Sequence, residues 1–141
     1  MGSKADAVKD DELAAAWQEL SVRYHRIQCT LDRELQANHQ LTSSEFEVLE
    51  LLMRGNEHSA RMSELADHVH LSQSATSRVV ARLEADGLLA RSMCSNDRRS
   101  VFAALTDAGV QRYTEARPTQ RRVLNDQSVG CQQLLVTAKV Q

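Results

Sequence analysis

Glycine and proline are scarce in this 141-residue chain, with five Gly and one Pro. That scarcity argues against an all-β sandwich, which needs many tight turns. No apolar run approaches the roughly 18 residues that mark a membrane span, so no membrane association is expected. No charged-then-apolar leader opens the chain. The three cysteines, at 29, 94 and 131, share no CxxC spacing. Their odd number, without a leader, fits a reducing, cytoplasmic setting with free thiols. Also missing are a phosphate-binding glycine loop, a zinc-protease motif, and a nucleophile set beside a base by any local motif. An enzyme is therefore not expected, and neither is a cofactor. His25 and Cys29 stand four residues apart and could share a helix face, but a metal site needs further ligands. None is expected from the segment after Thr106, which contains no His.

What is present is an uneven charge. The 17 Lys+Arg and 19 Asp+Glu give a net −2. Residues 1–60 hold 6 basic and 11 acidic side chains, residues 61–100 hold 6 and 5, and residues 101–141 hold 5 and 3. The acid is thus concentrated in the first half. Every base between 61 and 100 is Arg: Arg61, Arg78, Arg82, Arg91, Arg98 and Arg99. Arginine presents a planar fork suited to phosphates and base edges. Biased codon usage explains the preference for Arg equally well, since Lys occurs only at 4, 9 and 139, but it does not explain where the arginines cluster.

The apolar periodicity predicts mainly helices. Leu13, Trp17, Leu20, Tyr24, Ile27 and Leu31 recur at alternating steps of four and three, and Leu35 extends the row. This predicts a long helix from about 11 to 37, of a kind that often pairs with a second chain. Thr42-Ser43-Ser44-Glu45 is a capping box. The helix after it turns Phe46, Leu49, Leu52 and Met53 inward, and Gly55 is placed to end it in a left-handed turn. A loop over 55–60 leads to Ser63, read as the N-cap of a short helix with Leu65, Ala66 and Val69 inside. His70-Leu71 turns the chain. Ser72 caps a further helix, which runs to about Ala85 and ends at Asp86-Gly87. Residues 88–93 and 100–105 read as strands joined by the polar loop 94–99, a β-hairpin with a charged tip. Thr106 opens a last helix, which Pro118 should kink or divide. Residues 125–133 form helix weakly.

Two short capped helices joined by a tight turn and followed by a basic-tipped hairpin make the winged helix-turn-helix plan. The second helix must hold to its domain by one face and leave the other free for the major groove of duplex DNA. Ala75, Val79 and Leu83, with Val80 beside them, are expected inward. Ser72 stands at the N-terminus. Gln73, Ser74, Ser77, Arg78 and Arg82 fall on the outer face, with Thr76 at its border. Gln reads adenine, Arg reads guanine, and Ser or Thr serves bases or phosphates. At the hairpin tip Arg98 and Arg99 suit a narrow minor groove, and the Asp97 carboxylate would hold the Arg99 fork. A charged hairpin tip also discourages edge pairing, so the tip alone decides nothing.

The stretches Met62-Ser63-Glu64-Leu65-Ala66, Leu71-Ser72-Gln73-Ser74, Arg78 to Leu88, Asn96-Asp97-Arg98-Arg99-Ser100 and Leu105-Thr106-Asp107-Ala108-Gly109 together resemble the MarR family of bacterial transcriptional regulators. The spacing agrees from about 13 to 120, and Asp-x-Arg followed by Leu-Thr-x-x-Gly is its most specific piece. The resemblance implies a homodimer with dimerisation helices in residues 10–37 and 107–141, including Leu13, Trp17 and Leu20, and a winged helix-turn-helix over 42–106. It implies a repressor on a palindromic operator, with Ser72 to Arg78 and Arg82 carrying recognition and Asp97 and Arg99 the wing. It also implies a pocket between the dimer helices and the DNA-binding lobe for a small aromatic or phenolic effector. The sequence departs from the family in its last segment, where Gly130 and a polar stretch stand in place of a long amphipathic helix. Trp17 and Tyr24 are expected to serve packing. Two further readings stay open: a thiol or metal sensor on this scaffold, using Cys29 or Cys94, and a winged-helix protein-interaction module without DNA contact.

Overall fold

A computed structural model describes residues 2–94 and 97–127; of Cys94 and residues 97–99 only the backbone is described. Helix α1 (Lys4–His39) is followed by α2 (Ser43–Arg54), a 3₁₀ turn (Asn56–His58), β1 (Ser59–Arg61), α3 (Met62–His68), α4 (Gln73–Ala85), β2 (Leu89–Cys94), β3 (Asp97–Leu105) and α5 (Asp107–Gln127). The strands form one antiparallel sheet in the order β1-β3-β2. The predicted class, mainly helical with a small hairpin wing, is what the chain adopts.

Several local expectations hold for the stated physical reasons. The Thr42 hydroxyl accepts from the Glu45 amide at 3.1 Å, and the Thr42 amide donates to Glu45 Oε1 at 3.1 Å. This reciprocal box satisfies two donors at the start of α2. Asp32 of α1 adds a third, accepting from the Ser43 amide at 2.7 Å. Ser72 Oγ accepts from the Ala75 amide at 3.1 Å and opens α4. Gly87 has φ 76°; its amide donates to the Glu84 carbonyl and that of Leu88 to the Leu83 carbonyl, the paired closure that a left-handed residue permits.

The last helix is fixed to this turn by Thr106 and Gly109. Thr106 Oγ1 donates to the Gly87 carbonyl at 2.6 Å and accepts from the Gly109 amide at 3.1 Å. A Cβ on Gly109 would stand 1.9 Å from the Leu88 carbonyl oxygen, so only glycine lets α5 start this close to the end of α4.

Other expectations are corrected. Gly55 is extended (φ −75°) and not left-handed; glycine is needed because the Ser59 carbonyl oxygen lies 2.3 Å from where its Cβ would be. The positive φ falls instead on Glu57 and His58. The end of the expected loop 55–60 belongs to β1, which pairs Ser59, Ala60 and Arg61 with Ala104, Ala103 and Phe102. Because β1 feeds straight into α3, Arg61 is the residue before the helix, no side chain caps it, and Ser63 lies inside it. The hairpin strands reach Cys94 and start again at Asp97, so Asp97, Arg98 and Arg99 belong to β3 and not to a loop. Of the two outcomes expected at Pro118, division does not occur, since α5 is one helix through it. The expectations for 128–141, Cys131 among them, lie outside the described residues.

The core gathers Leu31 and Leu35 of α1, Leu41 of the connection after it, Phe46, Val48, Leu49 and Leu52 of α2, then Leu65, Val69, Val80, Leu83, Leu88, Leu89 and Ala103, closed by Tyr113, Ala116 and Val123 of α5. Full burial of each large apolar side chain contributes about 1.5–3 kcal/mol. Phe46 and Tyr113 stack with ring centroids 5.3 Å apart, joining α2 to α5. Residues 4–26 of α1 stay outside this core: Leu13, Trp17, Leu20, Val22 and Tyr24 are all exposed. The expectation that Trp17 and Tyr24 serve packing is therefore not met within the protomer.

Candidate nucleic-acid interface

Helix α4 owes its place to a buried stripe of Thr76, Val80 and Leu83. This stripe is rotated from the expected one, since Ala75 and Val79 are only half-buried. The rotation removes Thr76 from the candidate contacts. Its side chain is 1% exposed, and its hydroxyl donates to the Ser72 carbonyl at 2.9 Å. A threonine that satisfies its hydroxyl on the preceding turn can lie inward without an unpaired polar group.

The remaining predicted positions share one surface. Ser72, Gln73, Ser74, Ser77, Arg78 and Arg82 are all exposed along α4. Ser72 Oγ serves as the cap and lies 3.2 Å from Ser74 Oγ, so its own hydroxyl has less freedom to reach a ligand. Between α3 and α4 a groove of about 230 Å³ is lined by Met62, Ser63, Ala66, Gln73, Thr76 and Ser77. It carries no charged side chain.

Glu84 is the one carboxylate within α4. Arg91 of β2 donates to it three times, from the backbone amide at 3.1 Å, from Nε at 3.3 Å and from Nη2 at 3.0 Å. The side-chain and backbone hydrogen bonds from Arg91 hold the Glu84 carboxyl below the ordinary glutamate range. The pair neutralises the acid on the helix and ties the stem of the wing to it. Sequence reasoning did not connect Glu84 with Arg91. The two residues sit on different elements with the Gly87 turn between them, and no single periodicity relates them.

The wing expectations for Asp97, Arg98 and Arg99 concern side chains outside what is described. Beside the wing stem, Arg61 lies over the Phe102 ring, 5.6 Å from its centroid. That pair borders a cavity of about 340 Å³, also lined by Leu51, Arg54 and His68. This cavity lies within the winged-helix lobe, away from α1 and α5. On α1, Cys29 Sγ lies 3.5 Å from His25 Nε2 on an exposed face. No group of three metal-ligating side chains is found among the described residues.

The geometry is that of a winged helix-turn-helix, and comparisons with known proteins agree. Residues 41–101 match the MarR family model. Over those residues the chain is similar to the MarR family. A curated relative, the HTH-type transcriptional regulator MhqR of Bacillus subtilis (strain 168), is 32% identical over 91 residues, which cover 64% of this chain and 61% of the relative. Among solved structures, AbsC from Streptomyces coelicolor superposes with a TM-score of 0.80 at 26% identity, covering 90% of this chain and 87% of that one. Sco3205, from the same organism and solved in complex with DNA, gives 0.78 at 26%, covering 93% and 89%. The chain therefore has the winged-helix fold that these structures share. No helix among its described residues is long and apolar enough to cross a membrane.

Proposed function

We propose that this chain is a homodimeric, DNA-binding transcriptional regulator that represses from a palindromic operator and answers to a small-molecule effector. The observation that carries the DNA reading is the outer face of α4. Gln73, Ser74, Ser77, Arg78 and Arg82 are exposed there, while Glu84 is engaged by Arg91. That face offers hydrogen-bond donors and forks for base edges with no free carboxylate to repel phosphate. Support also comes from Sco3205, a relative solved with DNA, and from MhqR, a curated transcriptional regulator. Phosphate contacts would supply affinity and base contacts would choose the site.

Dimerisation is supported by the bare stripe of α1. A second copy covering Leu13, Trp17 and Leu20 would place two α4 helices about 34 Å apart, in successive major grooves. The effector would act through its differential affinity for the two lobe arrangements.

The test is selection of duplex DNA from a random pool by the full chain, followed by titration against salt. A two-fold symmetric consensus with affinity falling steeply with salt is expected. The absence of DNA binding even at low salt would instead favour a protein-interaction module. Arg78→Ala should narrow the gap between specific and nonspecific affinity, and Arg99→Ala should weaken operator binding while the dimer persists.

A further inference from the structure

The DNA-binding lobe meets the helical module formed by α1 and α5 at a cluster that centres on one oxygen atom. Glu50 Oε1, on α2, accepts from the Tyr113 hydroxyl at 3.1 Å and from Nη2 of Arg121. Both partners are on α5, and Pro118 lies between them. Nη2 of Arg54 lies 3.6 Å from the same oxygen. The Glu50 side chain is only 14% exposed, and the Tyr113 ring stacks on Phe46, one turn before Glu50 on α2.

Proline lacks an amide hydrogen, so the turn of α5 that contains Pro118 misses one helical bond to residue 114. The Thr114 hydroxyl turns away from that gap and donates to the Val110 carbonyl at 2.7 Å. Such a turn is the natural place for a helix to bend. The segment before it is pinned to the lobe by Thr106 and Gly109. The segment after it packs beside α1, where His39 Nε2 lies 2.7 Å from Thr119 Oγ1. One carboxylate thus grips α5 on both sides of its weakest turn.

We propose that Glu50, with Tyr113 and Arg121, is a clamp that fixes the angle between the DNA-binding lobe and the helical module, and so sets the half-site spacing this regulator accepts. The inference rests on the DNA-binding reading above and adds to it the residues that set geometry without touching DNA. Burial raises the affinity of Glu50 for a proton, but the Arg121 hydrogen bond and charge outweigh it, and the carboxyl lies below the ordinary glutamate range. The clamp is therefore charged at neutral pH, and charge-assisted bonds of this kind are the stronger ones.

The test uses the full chain with Cys29, Cys94 and Cys131 replaced by Ser. Spin labels are placed at Ala81→Cys on α4 and Asn125→Cys on α5, both exposed, and labelled chains are diluted into unlabelled ones. The parent should give a narrow distance distribution, Arg121→Ala and Glu50→Gln a broad one, and Arg121→Lys should restore most of the narrowness. In random-duplex selection the parent should return half-sites at one spacing. Arg121→Ala should return the same half-site bases at several spacings. An unchanged label distribution, an unchanged spacing preference, or altered half-site bases would each overturn the clamp. If the parent selected no sequence, the DNA-binding reading would fail, and the label distances would still decide whether Glu50 holds the lobe.

Discussion

The two ends of α1 carry one continuous stripe and meet opposite fates. Leu31 and Leu35, at its C-terminal end, are buried against α2 and α5. Leu13 and Trp17, on the same stripe nearer the N-terminus, are 71% and 69% exposed. Nothing in the residue types separates the two ends. Among the described residues, what separates them is that α5 packs under one end and nothing covers the other. Periodicity therefore identifies which face of a helix must be covered, but it does not identify what covers it.

The comparison breaks most sharply on the buried side. Leu35→Ala removes a fully buried side chain and should cost about 2–5 kcal/mol of protomer stability. Urea unfolding should show the loss at every protein concentration. A loss under 1 kcal/mol would mean that the C-terminal end of α1 is not part of the core.

The exposed end should behave differently. Trp17→Ala should leave the unfolding of an isolated protomer unchanged and weaken self-association by about 2 kcal/mol, the scale of a buried aromatic anchor at an interface. Sedimentation across a dilution series would read it. A loss of stability independent of concentration would show that Trp17 packs within its own chain.

Within the lobe, Ser72→Ala removes the oxygen that caps α4 and should cost about 1 kcal/mol. Thr76→Ala removes a hydroxyl already satisfied by the Ser72 carbonyl. If Thr76 contacted DNA, its loss would lower operator affinity at unchanged stability. The buried position leads us to expect the reverse, a small stability change with affinity preserved.

These contrasts show where the sequence was informative. Thr42, Ser72, Thr106 and Gly87 announce helix ends through local hydrogen bonds, and their structural roles were legible because cap chemistry acts within four residues. The order of helices and the hairpin followed from them. The rotation of α4 was less legible. Three apolar residues at four-residue spacing suggested an inner face of Ala75, Val79 and Leu83, yet a threonine able to bond its own backbone displaced Ala75. Strand β1 escaped notice because three residues carry too little periodicity. The Glu84–Arg91 pair and the Glu50 clamp were invisible for a different reason: each joins elements that the chain brings together only after folding.

The smallest expected effect separates the same two regions by pH. Glu50 in the lobe and Asp6 at the start of α1 are both held below the ordinary carboxylate range. For Glu50, burial acts upward and Arg121 outweighs it; for Asp6, the Ser3 backbone and side-chain hydrogen bonds are the cause. A carboxylate whose folded pKa is depressed contributes stability that is complete above its unfolded pKa, and this is lost as pH falls through the folded value. Both groups therefore predict a loss on the acid side, below about pH 4.3 for Glu50 and below about pH 3.9 for Asp6, the ordinary glutamate and aspartate values. Only Glu50 is coupled to the core, so only Glu50→Gln should flatten the acid limb of global unfolding. Asp6 sits at a helix end that opens locally without the rest of the fold, and Asp6→Asn should leave that limb unchanged. Equal flattening by the two substitutions would mean that the whole of α1 unfolds with the lobe, and that a partner chain holds its exposed stripe as firmly as α5 holds Leu35.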